Sequence, residues 1–114
     1  MNIIMNVKGN NEKYVKDGIY KMTKSASVKK MSEITDEKVF GVLGFILYED
    51  TKNDTTTQIL AIEIDTGETF ATNSKTFIES FKDLYGMMEE LPLDIKVLHK
   101  RSKANREYII ADLG

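Results

Sequence analysis

The chain has 114 residues, 18 acidic and 16 basic side chains for a net charge of −2, no cysteine and no tryptophan. That length makes a single domain, residues 1–114, able to bury about two thirds of its unfolded surface without a metal or disulfide to hold it. The missing cysteines exclude disulfides, thiolate zinc sites and a cysteine nucleophile, and the missing tryptophan disfavours an oligosaccharide platform.

In chain order, the first 37 residues carry the weakest pattern. Met1–Lys8 is too short and too polar for a signal-peptide core. No run approaches the roughly 20 apolar residues that span a bilayer, so the expectation is a soluble, cytoplasmic protein with no membrane partner. Residues 1–25 fit either an N-terminal arm or an edge strand, and Gly18–Thr23 is the piece placed at a sheet edge. Ser27–Ile34 fits a short helical turn or a loop entering the first long strand.

Hydrophobic period is clearer from residue 38 onward. Val39–Leu47 is β-branched and aromatic with two glycines, the pattern of a long bent strand. Glu49–Thr57 is polar and predicts a loop, after which Gln58–Ile64 alternates as a second strand. Asp65-Thr66-Gly67 supplies the positive φ of a tight turn and returns Glu68–Thr72 as a third. Asn73 or Ser74 then caps a helix over about 75–90, in which Phe77, Ile78, Phe81, Leu84, Tyr85 and Met88 form one apolar stripe. Met87 and Met88 read as gap-fillers against the sheet, and Pro92 as the end of the helix. Asp94–Lys100 and Arg106–Asp112 predict a closing hairpin.

Strand, strand, strand, helix, strand, strand is the order of a β-rich α+β chain of OB-fold type. That fold is a five-stranded Greek-key barrel with its helix between the third and fourth strands, here preceded by an N-terminal extension. Charge is distributed unevenly over this scaffold. Residues 1–30 hold seven lysines against two acids, residues 31–95 four lysines against fourteen acids, and residues 96–114 five Lys/Arg against two acids. Two basic ends on an acidic body would let local potential, rather than net charge, decide where a polyanion docks.

The last hairpin turns on Lys100-Arg101-Ser102-Lys103-Ala104-Asn105-Arg106, with Tyr108 just beyond. Cations that follow phosphates beside a flat π face are what single-strand binding needs. The phosphate candidates are Lys96, Lys100, Arg101, Lys103 and Arg106, joined from the N-terminal segment by Lys29 and Lys30, with Lys21 and Lys24 behind them. The stacking candidates are Tyr108, Tyr48 and Phe70, then Phe45 and Tyr20; for each of these the competing reading is core packing. Phe77, Phe81 and Tyr85 are assigned to the core.

Ser27–Ile34, Asp65–Phe77 and Val97–Tyr108, taken in order and spacing, resemble the small single-stranded DNA-binding proteins of phages and mobile elements of Gram-positive bacteria. The resemblance spans about residues 25–113. It implies sequence-independent coating of single strands during replication, with replication proteins as further partners. Two departures stand out: Ala104-Asn105 replaces the usual Lys/Ser-Gly of the last turn, and the acidic tail that recruits partners in bacterial single-strand binders is missing. DNA against RNA, and monomer against homo-oligomer, are left open by these residues.

Catalysis is not expected. His99 is the only histidine, Ser102 has no base beside it in sequence, no glycine-rich phosphate loop is present, and the carboxylates do not converge as acid/base or two-metal chemistry requires. No cofactor or metal is therefore implied. The competing reading is a protein-binding module that works through its acidic middle, as a DNA mimic or as an inhibitor or adaptor of a host enzyme.

Overall fold

The computed structural model describes residues 1–114, apart from the side chain of Asn11. Seven strands form one mixed sheet curled into a half-barrel, with two helices. The strands are β1 (Asn2–Lys8), β2 (Lys29–Lys30), β3 (Phe40–Lys52), β4 (Thr55–Ile64), β5 (Thr69–Thr72), β6 (Leu93–Arg101) and β7 (Glu107–Leu113). The helices are α1 (Lys16–Thr23) and α2 (Lys75–Met88). No helix is long and apolar enough to cross a membrane.

Five of these strands and α2 lie where hydrophobic period placed them, and α2 falls between β5 and β6. The sheet runs β2-β5-β4-β3-β6-β7. The centre is β3, long enough to pair with β4 along one edge and with two strands in succession along the other. Phe40–Val42 takes β6, and Gly44–Glu49 takes β1. The expected polar loop after residue 48 is instead a continuation of the β3–β4 hairpin. Asn53 and Asp54 turn it with φ of 52° and 63°, the pair of left-handed residues that a two-residue hairpin requires. Gly67 takes φ 86° in the next turn, as the Asp-x-Gly spacing predicts.

The N-terminal extension differs most from expectation. Gly18–Thr23, placed at a sheet edge from sequence, is helical, because Ile19 and Met22 together with Tyr14 cover the outer face of the sheet over Ile46, Tyr48 and Ala61. Residues 2–8 are a strand of the sheet, not an arm. Gly44 is what lets Tyr14 lie so close: a Cβ there would stand 2.0 Å from the Tyr14 hydroxyl. That hydroxyl donates to Glu63 at 3.1 Å, and burial, together with the Glu63 carboxylate, raises its pKa far above the ordinary tyrosine value.

The inner face holds the main core, in which Phe77, Ile78 and Phe81 of α2 meet Phe45, Leu47, Leu60, Ile62 and Ile95. Phe45 packs edge-on to Phe81 and Tyr85, with ring centroids 5.0 and 4.9 Å away. Ser74 caps α2, its Oγ accepting from the Phe77 amide at 3.3 Å. The helix ends before Pro92, at Met88, where Glu89 adopts the left-handed conformation with φ 53°. Met87 and Met88 are exposed rather than packed, because the apolar stripe of α2 runs out at Tyr85. Along β7, α2 satisfies the strand edge with side chains. Thr76 Oγ1 donates to the Ile109 carbonyl at 2.7 Å, and the Ala111 amide donates to Ser80 Oγ at 2.8 Å.

Candidate nucleic-acid interface

The β6–β7 hairpin closes through a turn built on Ser102. The Ser102 amide donates to the Arg106 carbonyl and the Asn105 amide to the Ser102 carbonyl, each at 2.9 Å. Asn105 takes φ 59°, a conformation its short polar side chain tolerates, so the departure from glycine in this turn costs the hairpin little.

Cross-strand register sorts the hairpin side chains. Ile95, Val97, Ile109 and Ala111 are buried inward, and the alternate pairs Lys96↔Asp112, Leu98↔Ile110 and Lys100↔Tyr108 face outward. Lys100 therefore stands directly across from Tyr108, which is half-buried. Among the described residues no carboxylate is within ion-pairing distance of Lys96, Lys100, Lys103 or Arg106, nor of Lys30 on β2. Arg101 differs: Nη1 donates to Asn105 Oδ1 at 2.8 Å and Nη2 to Glu107 Oε1 at 2.9 Å, so its guanidinium is engaged within its own hairpin.

Beside this hairpin runs a cleft of about 560 Å³, bounded on one side by Thr72, Asn73 and Ser74 and on the other by His99, Glu107, Tyr108 and Ile109. Tyr108 is the aromatic that lines it. His99 sits at its border, fixed by segment 32–36. Nδ1 is 2.5 Å from Asp36 Oδ1, Nε2 is 2.9 Å from the Ser32 carbonyl, and the His99 amide donates to Asp36 at 3.1 Å. The Asp36 contact raises the His99 pKa above its ordinary value, and the same hydrogen bond holds the Asp36 carboxyl below its own. This clasp ties the stretch just after Lys29–Lys30 to the strand that leads into Lys100.

The other sequence candidates separate from this cluster. Tyr48 and Phe70 are 3% and 6% exposed, Phe45 is 2% exposed, and none of them offers a face to a base. Tyr48 is covered by α1, whereas Phe70 and Phe45 belong to the main core on the inner face of the sheet. Lys24 is held by Asp50 at 2.6 Å, with its ammonium 5.6 Å from the Tyr48 ring centroid, and Lys29 is paired with Glu68. Lys21 borders a separate cleft with Tyr14 and Glu63. Tyr20 is exposed, but it stands on α1, away from the hairpin. Of the N-terminal basic segment, Lys24 and Lys29 are thus already paired, and Ser32 is the residue that reaches the cleft. Sequence reasoning missed Ser32 and Asp36, which lie 67 and 63 positions from His99 and carry no local signal of that contact.

No family model, no curated protein and no solved structure matches this chain.

Proposed function

We propose that the protein is a non-catalytic single-stranded DNA-binding protein on an OB-type barrel, acting in the replication of phage or mobile-element DNA in a host cytoplasm. The observation that carries this reading is the Lys100↔Tyr108 pair on the outer face of β6–β7, beside a cleft and next to the unpaired cations Lys103 and Arg106. In this reading Lys96, Lys100, Lys103, Arg106 and Lys30 follow the phosphates, and Tyr108 stacks on a base. Affinity then comes from counterion release and stacking, with little sequence preference. Arg101 orders the turn rather than contacting the strand. Competition between labelled oligo-dT, duplex DNA and single-stranded RNA tests it: preference for the single DNA strand supports the reading, and equal or stronger binding of duplex contradicts it.

A second reading is a protein-binding module that uses the acidic middle of the chain. It draws support from the burial of Tyr48 and Phe70, which leaves the hairpin a single stacking platform. A folded protein that binds no oligonucleotide at low salt would favour it.

A further inference from the structure

Strand β1 has a partner on one side only. It pairs with β3, and among the described residues no strand pairs with its other edge. Natural sheets guard such edges with charge, proline or bulges. β1 contains no proline and one charged residue, Lys8 at its end, and the guard within the strand is the irregularity between Ile3 and Met5. Beyond it, Met5 pairs with Leu47 and Val7 with Phe45, so both point to the inner face of the sheet.

That inner face is not filled beside β1. A mostly apolar pocket of about 240 Å³ lies between the strand and the C-terminal half of α2, walled by Met5, Phe45, Leu47, Leu60, Phe81 and Tyr85, with Lys82 and Glu89 also lining it. It adjoins a second cleft with Val7, Glu89 and Glu90 on its border, and Tyr85 and Glu89 belong to both. Neither Glu89 nor Glu90 has a cation within ion-pairing distance among the described residues. Lys8, the one lysine on β1, also borders this second cleft, but its ammonium lies 5.8 Å from the Tyr14 ring centroid and pairs with neither glutamate.

An open edge supplies backbone donors and acceptors, and a strand added to it sends every second side chain to the same face. We propose that β1 and this pocket form a docking groove for an extended segment of a partner protein. The segment adds as a strand to β1, inserts one large apolar side chain into the pocket and places a basic residue two positions away against Glu89 and Glu90. The pocket fixes the apolar anchor, and the unpaired carboxylates fix the sign of its neighbour. The groove is separate from the β6–β7 hairpin and does not depend on strand binding there.

The probe is a short blocked peptide alternating threonine with valine, phenylalanine and lysine, titrated into isotope-labelled protein and followed by amide chemical shifts. Shifts are expected at Met5, Val7, Leu47, Tyr85 and Gly86. Gly86 is the position to block: an added Cβ there meets nothing within 4 Å, so Gly86→Leu reaches the pocket from the helix side without a clash. This variant is expected to weaken the peptide about tenfold or more, the scale of losing a buried anchor, while oligo-dT binding stays unchanged. Glu89→Lys/Glu90→Lys, which leaves the apolar walls of the pocket intact, is expected to weaken it severalfold, and N-methylation of the peptide amides that face β1 to abolish binding. Shifts confined to the 100–108 hairpin, or affinity untouched by both variants and by N-methylation, would overturn the proposal. A concentration-dependent dimer whose interface maps to β1 would overturn the choice of occupant in favour of a second copy.

Discussion

His99 and Asp36 make a two-point contact: the aspartate oxygen Oδ1 faces both the His99 ring nitrogen Nδ1, at 2.5 Å, and the His99 backbone amide, at 3.1 Å. With the Ser32 carbonyl on Nε2, both ring nitrogens face acceptors, an arrangement that favours the imidazolium. The contact pins segment 31–36, whose Met31 and Ile34 enter the core, against β6.

The pH dependence follows from the two shifts. His99 is raised from 6.5, so its contribution is complete below that value and is lost as pH rises through the higher folded pKa. Asp36 is lowered from 3.8, so its contribution is present above that value and is lost as pH falls through the lower folded pKa. The clasp is strongest between those two ordinary values. Thermal unfolding followed across pH should show Tm falling as pH rises above 6.5, and His99→Ala should flatten that fall. Because the chain has one histidine, its ring resonances report the pKa directly, and Asp36→Asn should bring it down toward 6.5.

Gly44→Ala places a methyl group on the Tyr14 ring, 2.0 Å from the hydroxyl and 2.8 Å from Cζ. The overpacking should cost about 1–3 kcal/mol in denaturant unfolding. Tyr14→Phe removes the atom nearest the new methyl, so the double variant should be less destabilised than the sum of the two single ones. Strict additivity would show that α1 does not sit on β3 as described.

Much of the fold was legible because it rests on local pattern. The β3–β4–β5 meander, α2 and the last hairpin each announce themselves through period, turn residues or a cap; the exception is the polar stretch after Tyr48, expected as a loop, in which β3 runs on to Lys52 and β4 begins at Thr55. The N-terminal quarter was not legible for physical reasons. The period of β1 is broken by its irregularity at Ile3–Met5, and α1 is only eight residues long with Gly18 inside it. Their stability comes from surfaces supplied by β3 and β4, far along the chain. The candidate site divides in the same way. The exposed turn and Tyr108 could be read from their neighbours, whereas the burial of Tyr48 depends on α1 crossing the sheet above it, which no local pattern announces.

The ends of α2 give two opposed stability effects. Ser74→Ala removes the side-chain acceptor for the Phe77 amide and should cost about 1 kcal/mol. Glu89 pays the left-handed strain of a residue with a Cβ, with φ 53°, and Glu89→Gly should stabilise by about 1 kcal/mol. Chemical denaturation of both variants checks the pair, and a destabilised Glu89→Gly would contradict the assigned cap.

Within the hairpin, Lys100 and Arg101 should behave differently although they are adjacent. The Arg101 guanidinium is held by Asn105 and Glu107, so Arg101→Ala should loosen the turn while leaving the salt dependence of oligo-dT binding nearly unchanged. Lys100→Ala should reduce the slope of log affinity against log salt by about 0.7, the share of one phosphate contact on a single strand. Equal slopes for the two variants would contradict the assignment of Lys100 to a phosphate.

The most direct test of strand binding on the β6–β7 hairpin is a fluorescence-anisotropy titration of labelled oligo-dT with the wild-type protein and Tyr108→Ala, at low and at physiological salt. Tight binding that weakens with salt, together with a loss of about 1–3 kcal/mol in Tyr108→Ala, is the predicted result. No binding by the folded wild-type protein at low salt, or binding indifferent to Tyr108→Ala, would contradict it.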